Sequence, residues 1–131
     1  MVVFAREATE EAGVRIDRVV WIPGSLEAPL AVKALVESDR PDGVVVLGVQ
    51  ARGQTKHGEV IAHQATGKLL ELQLRHMIPM AVAIIGPNAT LEHAKAKAKY
   101  SSQKAIRAVA HMIGLLDEFR GPNVLTSPPA E

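Results

Sequence analysis

Val44-Val45-Val46-Leu47-Gly48-Val49 is an uninterrupted apolar run of strand length, rich in β-branched residues and without a polar side chain on either alternating face. That pattern belongs to a strand covered on both sides, as in a parallel sheet between helices. The segments around it agree. Ahead of it, Pro29 suits a first helical turn, and Leu30, Ala31, Ala34 and Leu35 repeat at helical spacing until the turn-forming Asp39-Arg40-Pro41-Asp42. Earlier still, Arg18-Val19-Val20-Trp21-Ile22 reads as a strand that stops at Pro23-Gly24.

Behind it, the loop Gln50 to Lys56 leads into a helix from about His57 to His76, marked by Val60, Ile61, Ala65, Leu69, Leu72 and Met77 and closed by Pro79. Met80 to Ile85 is the next strand and ends at Gly86-Pro87-Asn88. Asn88 is expected to cap a helix to about Tyr100. Ser101 or Ser102 is expected to cap the last one, whose Ile106, Val109, Ile113 and Leu116 share a face.

Strand and helix alternate, which predicts an α/β chain: a three-layer αβα sandwich around a central parallel sheet of about four strands, with right-handed crossovers. In such sheets ligands bind at the carboxyl ends of the strands, so the loops 23–27, 50–57 and 86–90 are the places to look for chemistry. Residues 1–120 read as one domain. The tail 121–131, with three prolines and no periodicity, is expected to be disordered.

Composition narrows the partners. Fifteen basic residues against 14 acidic ones ask for no nucleic acid and no anionic membrane surface. There is no cysteine, which removes disulfides, thiolate nucleophiles and thiolate metal sites. The apolar runs are too short to span a bilayer and the first residues lack a secretory pattern, so the chain is expected to be cytoplasmic.

Two motifs carry the chemistry. Pro23-Gly24-Ser25-Leu26-Glu27-Ala28-Pro29-Leu30-Ala31 resembles the loop after the second strand of lumazine synthases, and Leu47-Gly48-Val49-Gln50-Ala51-Arg52-Gly53-Gln54-Thr55-Lys56-His57 resembles that family's phosphate loop and its histidine. They stand in the family's order and at its separation, and the resemblance extends over roughly residues 14 to 116. Around His63 and over 93–104 it is closest to archaeal-type members. The family implies a flavodoxin-like fold and the condensation of 5-amino-6-(D-ribitylamino)uracil with 3,4-dihydroxy-2-butanone 4-phosphate, in riboflavin biosynthesis. It implies no cofactor and no metal. Because the family's pockets lie between subunits, it also implies a homo-oligomer, a pentamer or a multiple of pentamers.

Physical chemistry supports the second motif independently. Gly53, Gln54 and Thr55 precede a helix whose backbone donors and positive dipole end suit an anion, with the Thr55 hydroxyl as a further donor. His57 stands at the edge of that seat, and an imidazole exchanges protons near neutrality. The resemblance implies that His57 is the general acid/base. It further implies that Ser25, Leu26 and Glu27 hold the ribityl chain, although Ser25 and Glu27 also suit plain capping of the next helix. The backbone of Val49, Gln50 and Ala51 would face the pyrimidine, and the segment at Ile85 would approach a neighbouring subunit's site. A basic residue near the last helix is expected on the phosphate. Lys97 or Lys99 is chosen among Lys95, Lys97, Lys99 and Lys104, with a solvated helix face as the competing role.

His63 is six residues from His57, the wrong spacing for a two-histidine metal pair, and His76, His93 and His111 read as surface or helix-end residues. Trp21 reads as packed at a strand end. The amino terminus departs from the family pattern: only 17 residues precede Arg18, where the family has a full strand and a long helix. Val2-Val3-Phe4 would be a stub of that strand, and Phe4 is the one candidate for the family's ring over the pyrimidine. Two alternatives are an archaeal-type riboflavin synthase, which uses two lumazines and no substrate phosphate, and a non-catalytic oligomeric homologue.

Overall fold

The structure, a computed structural model, describes residues 1–51, 56–121 and 128–129. The expected disordered tail, and the loop residues Arg52, Gly53, Gln54 and Thr55, lie mostly or wholly outside the described residues. The elements in chain order are α1 (Val2–Ala12), a single 3-10 turn (Ser25–Glu27), α2 (Ala28–Asp39), β1 (Val44–Ala51), α3 (His57–His76), β2 (Met80–Ala89) and α4 (Leu91–Arg120).

β1 and β2 pair in parallel, with Val44 opposite Met80 and each following residue in step as far as Val49 opposite Ile85. Side chains on a strand alternate between its faces, and both faces are covered. Val44 and Val46 join Val32 and Val36 of α2, Leu69 and Leu72 of α3, and Met80 and Val82 in one cluster. Val45 and Leu47 join Ala5 and Ala8 of α1 and Ile106 of α4 in another. The continuous apolar run is thereby explained, since each of its faces meets a helical layer.

Local chemistry sets the ends. Gly13 closes α1 in the left-handed conformation (φ 72°), which favours glycine. Met77 takes a left-handed turn after α3 (φ 54°), and the Gln73 side chain accepts a 2.7 Å hydrogen bond from the Met80 amide where β2 begins. Pro29 stands in the first turn of α2, as expected.

Several expectations change. Val2-Val3-Phe4 is the first turn of α1 and not a strand stub. Ala5 and Ala8 repeat at helical spacing, and their burial against Ile106 outweighs the β-preference of two valines. Residues 18–22 form no strand, and the sheet has two strands among the described residues instead of about four. This segment is held by other contacts. Val14 and Ile16 pack on the α1 side, Ile22 packs on the α2 side, and the Arg18 guanidinium makes hydrogen bonds of 3.1 and 2.9 Å to Asp39 at the end of α2. Trp21, expected to be packed, is 82% exposed.

Finally, the two helices expected after residue 88 are one helix of 30 residues. Thr90 caps it, its hydroxyl accepting from the His93 amide at 3.2 Å, while Asn88 lies within β2. Ser102 is fully buried inside this helix, where its small side chain continues the line of Ala94, Ala98 and Ala105, so packing and not capping accounts for it.

Leu69 is wholly buried at the centre of the larger cluster. Leu69→Ala is therefore expected to lower the unfolding free energy by about 2–5 kcal/mol, measured by urea denaturation. A loss below about 1 kcal/mol would contradict this packing.

Candidate functional site

The parallel pairing puts the carboxyl ends of β1 and β2 side by side, and of the groups singled out by sequence Ser25 and Gln50 meet at the end of β1. On β1, Gly48 and Gln50 follow Val46 on the face covered by α2 and α3, and the Ser25–Glu27 turn packs against α3 on that face. The Ser25 hydroxyl donates to Gln50 Oε1 at 3.3 Å, joining the first motif to the second across 25 residues of chain. Leu26 and Glu27 are exposed beside it. A side chain at Gly24 would come within 3.1 Å of Glu27 Oε2, so the carboxylate folds back over this glycine. Nothing from the Ser25 or Glu27 side chains caps α2 or the turn, which leaves their polar atoms for other work.

The strands end irregularly. Val49 pairs with Ile85, but Ala51 pairs with Ala89, so one residue of β1 faces three of β2. Gly86 makes this bulge possible. Its φ is +117°, and a Cβ there would lie 2.4 Å from the Gln50 carbonyl oxygen. Bulges of this kind bend a strand and re-aim its side chains, and they are common beside active sites.

His57 is the first residue of α3 and is exposed. The helical ladder starts with the Val60 amide bonding to the Lys56 carbonyl at 3.2 Å. Gly53, Gln54 and Thr55, expected to seat a phosphate, lie outside the described residues. His63 is one and a half turns further on and lies 3.9 Å from Glu59, both exposed, in a surface pair.

The remaining site residues separate. Val49 is exposed, whereas Ile85 is buried with Ala89 and Ala94, beside Met1 and Ala98. Its side chain therefore fills the core, and only its backbone faces the strand ends. Lys97 and Lys99 are both exposed on α4, flanking the inward-facing Ala98. At 3.6 residues per turn they point about 200° apart, so both cannot reach one phosphate. Phe4 is half-buried on the first turn of α1, and Met1 just before it touches the residues around Ile85, which places this end of α1 at the same end of the sheet.

Sequence reasoning missed the side-chain role of Gln50, which it valued for its backbone alone. Strict alternation from Val44 would have found it, because residues 44, 46, 48 and 50 share a face.

The fold and site define an α/β enzyme of the open parallel-sheet class, with polar groups converging at the strand ends. The comparisons say which one: a family model described as 6,7-dimethyl-8-ribityllumazine synthase matches residues 1–118, and the chain belongs to that family. Proteins of that name are among its relatives. The one from Staphylothermus marinus is 40% identical over 77% of this chain and 67% of its own length. That from Methanopyrus kandleri is 36% identical over 89% and 82%, and that from Methanocaldococcus jannaschii 34% over 83% and 77%. These archaeal relatives agree with the archaeal character read from the sequence, and their shared name does not favour the riboflavin synthase alternative.

Gly86→Ala would force a side chain onto the Gln50 carbonyl from a strained backbone conformation. The expected cost is about 1–3 kcal/mol of stability. Thermal unfolding checks it, and an unchanged melting temperature would show that the bulge needs no glycine.

Proposed function

We propose that this chain is a working lumazine synthase, condensing 5-amino-6-(D-ribitylamino)uracil with 3,4-dihydroxy-2-butanone 4-phosphate and releasing phosphate and water. The observation that carries the reading is the joining of Ser25 to Gln50 at the carboxyl end of β1, with His57 opening the helix that follows. Family membership supplies the substrates.

In this reading Ser25, Leu26 and Glu27 receive the ribityl chain: a carboxylate and a hydroxyl oxygen accept from polyol hydroxyls. The backbone of Val49, Gln50 and Ala51 lies along the pyrimidine. Gly53, Gln54 and Thr55 take the phosphate on the amides leading into α3, with Lys97 or Lys99, from the same or a neighbouring subunit, as counter-charge.

The chemistry asks for proton transfers at each stage. The amine adds to the ketone carbon, and its proton must leave. The carbinolamine loses water to give an imine, which needs a proton on the departing oxygen. Loss of the proton on the carbon next to the imine then expels phosphate and leaves an enol that becomes a ketone, and the ribityl-bearing amine closes the ring on that ketone with loss of a second water. His57, beside the phosphate seat, moves protons in these steps. Its contribution is about 10² to 10⁴ in rate, and the rest comes from holding two substrates together. No cofactor is called for in this reading.

The reading includes assembly as a homo-oligomer, a pentamer or a multiple of pentamers, and a cytoplasmic location. No helix among the described residues is long and apolar enough to cross a membrane. The isolated chain exposes Trp21, Leu26, Leu30, Leu74 and Phe119, apolar side chains of the kind that interfaces between subunits cover. Association would cover them and extend the two-stranded sheet towards the about four strands expected, with the extended segment 18–22 at its margin.

The purified chain mixed with both substrates is expected to form fluorescent lumazine, and His57→Ala to slow it by about 10²- to 10⁴-fold. Absence of product from the unmodified chain would end the enzyme reading. Native mass spectrometry is expected to show five copies of the 14.0 kDa chain, or a multiple of five; a monomer would overturn the assembly.

A further inference from the structure

The Ser25–Gln50 hydrogen bond has a direction, and the direction has consequences. A serine hydroxyl carries one proton and two lone pairs, and a glutamine amide carries an acceptor oxygen and a two-proton donor. Here the Ser25 proton goes to Gln50 Oε1 at 3.3 Å. Ser25 is then left with lone pairs only, and Gln50 with N–H donors only. The one keeps acceptors for a further partner and the other keeps donors.

The surroundings hold Gln50 in that role. Its carbonyl is covered at close range by Gly86, where a Cβ would lie 2.4 Å from the oxygen, so its backbone is pinned by the neighbouring strand. The bulge leaves Gln50 without a Cα partner on β2. Alternation points its side chain to the face of the Ser25 turn. Gly48, two residues earlier on that face, has only Ile84 among the described residues within 4 Å of where a Cβ would stand.

We infer that Gln50 is a positioning and specificity residue for the pyrimidine substrate, an assignment that rests on the reading of this site as the ribitylaminouracil pocket. Through its oxygen it fixes Ser25 as an acceptor for a ribityl hydroxyl. Through its nitrogen it donates to a ring carbonyl. A uracil bearing a polyol chain presents both complements, hydroxyl donors at one end and carbonyl acceptors at the other. With Glu27 as a second acceptor on the same turn, the pair distinguishes the two ends of the molecule and leaves the phosphate substrate to other residues.

The test compares the unmodified full chain with Gln50→Met, which keeps the length and removes both polar groups, with Ser25→Ala, and with the double variant. Binding of 5-amino-6-ribitylaminouracil is read by calorimetric titration, and KM for each substrate by lumazine fluorescence. Gln50→Met is expected to weaken pyrimidine binding on the order of tenfold while the KM for the butanone phosphate stays within about twofold. The double variant is expected to lose less than the product of the single losses, because both remove one shared bond. Pyrimidine affinity within twofold of the unmodified chain, equal damage to both substrates, or strictly multiplicative losses would overturn the inference. If the unmodified chain binds the pyrimidine without turning it over, the enzyme reading falls while the titrations still decide the role of Gln50. If it binds none, both fall together.

Discussion

Parallel pairing of Val44–Ala51 with Met80–Ala89 obliges both strands to finish at the same end of the molecule, and Ser25 and Gln50 of the proposed site meet at the end of β1. α3 starts there with His57, α4 starts there behind its Thr90 cap, and the turn at Ser25 reaches the last polar residue of β1. An antiparallel pair would have placed these segments at opposite ends. The close approach of Gly86 to the Gln50 carbonyl is the point at which the constraint is tightest, because only a glycine tolerates both the backbone angle and the distance.

Both faces of so small a sheet must be covered, and the helices divide the work. α2 and α3 bury Val44, Val46 and Val82 on one side; α1 and α4 bury Val45, Leu47 and Ile85 on the other. Much of the α1–α4 contact is made by alanines, with Ser102 fully buried in the same helix. Small side chains let helices approach closely but remove little apolar area each, and at about 25 cal/mol per Å² such contacts contribute modestly.

The site is open and its described polar groups are mostly exposed. The amine-to-ketone condensation proposed here gains chiefly from bringing two substrates together and from timely proton transfer. In the proposed reading a hydroxyl and a carboxylate serve the polyol, backbone serves the ring and a helix start serves the phosphate, so the work of the fold is to place them.

The continuous run at Val44–Val49, the helical spacing through Leu69 and Leu72, and the two motifs with Ser25, Glu27 and His57 were legible in the residues themselves, since each reflects a local period or a local side-chain chemistry. The same local rules misread Val2-Val3-Phe4, the segment 18–22 and Ser102. A valine-rich run becomes a strand only where an edge is within reach, and a serine caps a helix only where the helix ends. Both conditions are set by distant neighbours: Ile106 behind α1, Asp39 holding Arg18, and the continuation of α4 past residue 102. The pairing of Ser25 with Gln50 belongs to the same category, because residues 25 apart in sequence meet only after the sheet, its bulge and the packed turn have formed.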